Sequence, residues 1–311
     1  MTIASKQPPV RTDRTYFNSG RAAFSYLVEA VIRPRRLYLP SYTCWSLVSA
    51  MDLRFPHVEL DFYPVRRDLT CLFPDTLEAD EALVVIHYFG HVNETASPPG
   101  DGTILEDLSH ATLSEVPQRR GHSFGSLRKL AHLGDGGFVS GFHNPMYEPT
   151  RKLDTWLRYE ATDWRELREA ENMLDRDWRI ADMSSQSLAA LFAMDAGSER
   201  RRRRKNDRIL AEGLRAGRPL IAFREGECPL VHQRVFDRTD ERDSLRSFLA
   251  AQNVFTSIQW QAHPRIDRDR YGDAHWLADH TLAIPVGSPL GAPEMDRVAA
   301  VVDRWMRSGG S

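Results

Sequence analysis

Ala82-Leu83-Val84-Val85-Ile86-His87-Tyr88 and Thr103-Ile104-Leu105-Glu106-Asp107 are the two stretches on which the fold turns. The first is apolar without alternation, the pattern of a strand covered on both faces. The second is a shorter apolar run that ends in acid, which reads as a strand with a half-buried carboxylate at its carboxyl end. Working outward, residues 36–40 and 58–63 read as strands, and 136–140 as another short one. Residues 44–55 read as a helix with Thr43 as its N-cap, and Ser19 opens a helix that reaches Val31. Strands interleaved with helices predict an α/β fold with a largely parallel sheet, where ligands gather at the carboxyl ends of the strands. From about Lys152 the pattern is helical through Arg215. A second region of strands (219–223, 230–236) and helices (241–251, 293–307) follows. A boundary near residue 200 divides the chain into a large domain, 1–200, and a smaller α+β domain, 201–311.

Composition narrows the function classes. With 311 residues and 41% hydrophobic content the chain can bury a substantial core, and its formal net charge of −2 gives no global basic field for nucleic acid. Charges, prolines or glycines interrupt every apolar run before it reaches membrane-spanning length, so no membrane partner is expected. Residues 1–14 lack the apolar stretch of a secretory signal. The three cysteines, Cys44, Cys71 and Cys228, form no CxxC pair, so neither a disulfide framework nor a thiolate zinc site is indicated. A reduced, cytoplasmic protein is the expectation. His87 and His91 have HxxxH spacing but straddle a strand end, and no metal is expected. The one charge block, Arg200–Arg204 with Lys205, reads as the polar face of a helix capped by Ser198, with an anion site as the alternative.

Two short motifs near residue 125 suggest other chemistries and fail on context. Gly121-His122-Ser123-Phe124-Gly125 matches the GxSxG elbow of hydrolases, but the preceding Glu115-Val116-Pro117-Gln118-Arg119-Arg120 is no buried strand. Ser126-Leu127-Arg128-Lys129 matches SxxK of penicillin-recognising enzymes, but KTG and SDN are absent.

A third reading absorbs more residues. Leu105-Glu106-Asp107-Leu108-Ser109-His110-Ala111, then Ser126-Leu127-Arg128-Lys129, then Gly134-Asp135-Gly136-Gly137 resembles the DegT/DnrJ/EryC1/StrS family of pyridoxal-phosphate (PLP) dependent sugar aminotransferases. Ser19-Gly20-Arg21-Ala22-Ala23 is similar to that family's phosphate loop, and Pro40-Ser41-Tyr42-Thr43 to its next βα turn. Val85-Ile86-His87-Tyr88-Phe89-Gly90 and Ile284-Pro285-Val286-Gly287 are similar to two of its strands. The resemblance is dense over residues 17–141 and loose beyond.

It implies fold type I of the PLP-dependent transferases: a large domain with a mixed, mostly parallel sheet flanked by helices, and a smaller C-terminal domain. It implies PLP as cofactor, a homodimer, and transfer of an amino group from an amino acid donor to a small keto substrate such as a nucleotide-linked deoxysugar. By the same resemblance Lys129 carries the cofactor's aldehyde and Asp107 holds its ring nitrogen, while His110 bonds its phenolic oxygen. Gly20, Arg21 and Ala22 receive the phosphate, with Ser123 or Ser126 adding a hydroxyl. The chemistry suits these types: an amine that condenses and then moves protons must be deprotonatable, as lysine is and arginine is not. An ionised aspartate keeps a pyridine nitrogen protonated. The family's stacking aromatic aligns with Cys44, and neighbouring Trp45 is the expected substitute. Asp177-Trp178-Arg179 stands for an asparagine-aromatic-arginine segment, a departure that sets an aspartate where a phosphate contact is normal. Other PLP-dependent chemistry (elimination or racemisation) or a non-catalytic scaffold are the alternatives.

Overall fold

The computed structural model describes residues 13–130, 133–141, 169 and 179–309. Seven strands form the main sheet: Arg14–Phe17 (β1), Arg36–Pro40 (β2), Glu59–Tyr63 (β3), Glu81–Ile86 (β4), Thr103–Asp107 (β5), His122–Ser126 (β6) and Gly137–Ser140 (β7). Their spatial order is β1-β7-β6-β5-β4-β2-β3. Strands β2 to β6 run parallel, while β7 is antiparallel to both β6 and β1. Every residue of β4 is buried, which accounts for its unbroken apolar run. Each fully buried Leu or Val there is worth about 1.5–3 kcal/mol relative to exposure.

Helix Gly20–Tyr26 (α1) continues as a π-helical turn, Leu27–Ile32, and Trp45–Arg54 (α2) follows β2. After the main sheet come Ser185–Ala193 (α3) and Ala196–Gly213 (α4). A second, antiparallel sheet is built from Arg218–Pro219 (β8), Val231–Val235 (β9) and Thr281–Pro285 (β10), in the order β10-β9-β8. Helices Thr239–Ala251 (α5), Gly272–His280 (α6) and Ala292–Arg307 (α7) complete the chain. The second sheet has an apolar cluster of its own, including Leu210, Phe236, Leu282, Val301 and Trp305.

Several local expectations change. Cys44, with extended backbone, is the N-cap of α2, whereas Thr43 is buried and its Oγ1 has no hydrogen-bond partner. Asp195, not Ser198, caps α4: its carboxylate accepts from the Ser198 N–H and hydroxyl, a better match for a helix N-terminus than a hydroxyl alone. The strand expected at 219–223 is cut to two residues, and the ladder ends where the Leu220 N–H bonds Gln233 O. Four of the five GxSxG residues, His122 to Gly125, lie in strand β6, so Ser123 sits within a strand rather than on an elbow.

Candidate active site

The order of the main sheet reverses between β2 and β4, and the carboxyl ends flanking that point are the usual ligand position in such sheets. Aromatic side chains wall it. Tyr42, after β2, stacks on Tyr88, after β4, with ring centroids 5.6 Å apart, and Trp260 lies 5.4 Å from Tyr42.

Beside this wall stands His110, buried in the loop after β5. Phe89 stacks against its ring at 5.4 Å and Trp260 at 5.0 Å, nearly parallel. Both ring nitrogens are engaged. Nδ1 accepts from the Phe89 N–H at 3.3 Å, so it carries no proton. Burial, and secondarily the Lys129 charge, push the imidazole well below its ordinary 6.5, so the ring is neutral at pH 7 with its hydrogen on Nε2. That Nε2 lies 2.8 Å from Lys129 Nζ. Lys129 Nζ also lies 5.7 Å from the Trp260 ring centroid.

Alternation along β5 separates its two terminal acids. Glu106 turns to a buried strut: His87 Nδ1 accepts from the Asn93 N–H at 3.1 Å, leaving Nε2–H for Glu106 Oε1 at 3.2 Å, and Arg119 Nε is 3.3 Å from the same oxygen. Asp107, three residues before His110, is buried at the sheet's carboxyl end. Its Oδ1 accepts from the Ser109 N–H at 2.8 Å, and no other hydrogen bond to the carboxylate occurs among the described residues. One carboxylate oxygen is thus left for a ligand.

Lys129 sits in the connection from β6 back to β7, and hydrogen bonds hold the described residues of that connection. Leu127 N–H bonds Gly136 O at 3.0 Å, and Gly136 N–H bonds Asn18 O at 2.8 Å. A Cβ on Gly137 would collide with the Ser19 backbone, which explains the glycine. Asp135 is buried and accepts from both the N–H and the hydroxyl of Ser184, at 2.8 and 2.7 Å, anchoring the turn to α3. Ser126 ends β6 with its N–H on Ser109 Oγ at 3.0 Å, and a Cβ on Gly20 would sit 3.0 Å from Ser126 Cβ. The start of α1 and Ser126 are therefore neighbours, while Ser123 lies three residues back in β6. Arg21 is half-buried and Ala22 buried; the Ala22 N–H is already used by Ser19 Oγ at 3.1 Å.

The structure thus brings together Asp107, His110, Lys129, Ser126 and Gly20. It does not bring Trp45 among them. That ring is 43% exposed, donates from Nε1 to Gln261 O at 2.7 Å, and meets His263 edge-on. The rings that stack on His110 are Phe89 and Trp260, and Trp260 lies far along the chain without a local motif to betray it. Asp177 and Trp178 lie outside the described residues.

The arginine block lies on α4 as the polar-helix reading expects, with Arg201, Arg202 and Lys205 exposed, but Arg203 departs from it. Arg203 is 5% exposed and donates to Leu130 O and Leu230 O, both at 3.1 Å, and to Glu199 Oε1 at 2.7 Å, with Lys129 O 3.5 Å away. Arg200 bonds Gly226 O at 2.9 Å and Arg204 bonds Glu227 O at 3.2 Å. Glu115 pairs with Arg200 at 2.8 Å and Glu199 with Arg203, and loop carbonyls, one of them in the Lys129 turn, take further guanidinium N–H groups.

No sequence-family profile matches this chain, and no curated protein does. Solved structures do. Spr1654 from Streptococcus pneumoniae, assigned as a sugar aminotransferase and solved in its PMP form, superposes with a TM-score of 0.67 at 14% identity, covering 95% of this chain and 88% of its own. The aminotransferase TlmJ from Streptoalloteichus hindustanus gives 0.67 at 17% identity, covering 96% and 87%. DesV from S. venezuelae, in complex with a ketimine intermediate, gives 0.63 at 20% identity, covering 94% and 84%. Along nearly its whole length, this chain has the fold-type-I architecture of PLP-dependent aminotransferases.

Proposed function

We propose that this protein is a PLP-dependent aminotransferase that moves an amino group from an amino acid donor to the keto group of a small molecule, a nucleotide-linked deoxysugar being the expected acceptor. The observation that carries the reading is the 2.8 Å contact between Lys129 Nζ and His110 Nε2 beside the buried Asp107 carboxylate. The residues fit the cofactor on three points. Asp107 has an oxygen unspent, Thr43 Oγ1 is buried without a partner, and Ser126 lies against the start of α1. Bound there, PLP would supply an electron sink for a carbanion at the donor's α-carbon.

The chain's own residues do the rest. Asp107 would hold a protonated ring nitrogen, and Ser126 with Gly20 and Arg21 would take the phosphate. His110 Nε2–H would serve a phenolic oxygen once the amine no longer occupies it. Lys129, displaced by the donor's amine, would move the proton. Trp260, Tyr42, Tyr88 and Phe89 shield the site from water on the wall side. A homodimer in the cytoplasm, and a division into domains at 1–200 and 201–311, belong to the same reading; the two separate sheets support the division.

Purified protein incubated with PLP is expected to absorb in the near-visible, and borohydride reduction to fix the cofactor on Lys129. Lys129→Ala is expected to abolish the adduct while leaving the circular dichroism spectrum intact. A spectrum that glutamate and other amino donors never shift toward the pyridoxamine form would refute the transaminase assignment.

A further inference from the structure

Away from Lys129, at the edge where β3 meets α6, lies a cavity of about 460 Å³ lined by four arginines: Arg66, Arg67, Arg268 and Arg270. None of Asp107, His110, Ser126 or Lys129 lines it. Its volume is in the range of small-molecule sites and well beyond a lone inorganic phosphate.

The charges do not cancel. Arg67 Nε pairs with Asp273 Oδ1 at 2.9 Å and Arg268 Nη2 with Asp279 Oδ2 at 3.2 Å. Arg66 and Arg270 have no carboxylate partner among the described residues. The excess of two positive charges stands out in a chain whose overall formal charge is −2. The backbone that carries these arginines is fixed by turns. Arg66 opens a tight turn in which its N–H bonds Thr70 O at 2.9 Å and the Leu69 N–H returns to Arg66 O at 2.9 Å. Arg270 N–H bonds Asp267 Oδ1 at 2.7 Å, and the Arg67 guanidinium lies 4.7 Å over the Trp276 ring. Tyr271 fixes the far wall to β3 through its hydroxyl on Phe62 O at 2.8 Å. The N-terminus of α6 opens into the same space, with no side-chain cap and with Gly272 unobstructed.

We propose that this cavity binds the phosphate groups of a phosphate-bearing small molecule of nucleotide size. Two unpaired guanidinium forks match the oxygens of a phosphate dianion, and a helix N-terminus adds N–H donors of the same polarity. Trp276, Tyr271 and Leu72 supply apolar surface for the organic part. The phosphate could belong to the acceptor substrate or to a free effector; both present the same group to the same arginines.

Titration calorimetry with inorganic pyrophosphate and with uridine diphosphate tests the site, using PLP-saturated protein so that any phosphate cup near Ser126 is filled. Both probes are expected to bind with a salt-sensitive affinity that Arg66→Ala/Arg270→Ala weakens about tenfold or more. Arg66→Lys/Arg270→Lys is expected to retain part of the binding, and Arg307→Ala, remote from the cavity, all of it. Tighter binding of the nucleotide than of pyrophosphate assigns an organic pocket beside the phosphates. If uridine diphosphate competes with the acceptor, the acceptor is the source, and if it does not, a free effector is. Absence of binding to the parent protein, or equal binding by the double alanine variant, would overturn the proposal. Repeating the titration without PLP separates the two readings, because the arginines do not depend on Lys129.

Discussion

Two groups of arginines in this chain behave in opposite ways, and the contrast shows what separates a structural cation from one held for a ligand. On α4, Arg203 is buried and spends its guanidinium on Glu199 and the carbonyls of Leu130 and Leu230. Around the cavity at β3 and α6, Arg66 and Arg270 are exposed and face open space with no carboxylate partner among the described residues. Five consecutive arginines looked like the stronger anion-binding signal, yet the dispersed set has the unspent donors. The lesson lies in where each N–H ends, since the density of charge along the chain does not report it.

Arg203→Ala should have the largest effect on stability. It would strand buried Glu199, which also accepts from the Ser288 N–H at 3.0 Å, and leave carbonyls near Lys129 unmet. A loss of about 3–5 kcal/mol is expected, read by urea unfolding. Because the lost bonds hold the Lys129 turn, PLP uptake should fall in the same variant at temperatures where it remains folded. If stability changes by less than about 1 kcal/mol, the buried side of the contrast is broken.

His110 extends the same logic to a titrating group. Its native pKa is depressed below 6.5 by burial, so at acid pH the unfolded chain binds the proton and the native site does not. The stability it contributes is therefore complete above 6.5 and is lost as pH falls below that value toward the native pKa. Urea unfolding free energy should therefore fall as pH is lowered from 7.5 to 5.5. His110→Gln should remove that increment from the pH dependence of urea unfolding. An identical pH slope in parent and variant would mean that the ring protonates in place.

The smallest effect sharpens the other side of the comparison. Arg66→Ala/Arg270→Ala should change unfolding free energy by no more than about 1 kcal/mol, because neither guanidinium has an ion pair among the described residues and Arg270 only lies 5.2 Å over the Tyr271 ring. A clear destabilisation would reassign both to structure.

The elements that were legible in the sequence share a property. The apolar run of β4, the acid closing β5 and the glycines after Lys129 are determined by neighbours within a few residues. Strand β6 was not legible, because His122-Ser123-Phe124-Gly125-Ser126 has few apolar side chains and owes its strand form to pairing between β5 and β7. Trp260 was not legible for a similar reason: adjacency to the βα turn pointed to Trp45, whereas a loop of the second half carries Trp260 onto His110.

From its residues alone the chain determined an alternating α/β order, a carboxylate at a strand end, and a lysine before a glycine turn, since periodicity and backbone freedom act locally. Only the tertiary structure decided which acid faces the site, which histidine nitrogen meets the amine, and which arginines stay unpaired. Those outcomes depend on hydrogen-bond partners contributed by segments distant in sequence, and a partner's position is a property of the packed fold.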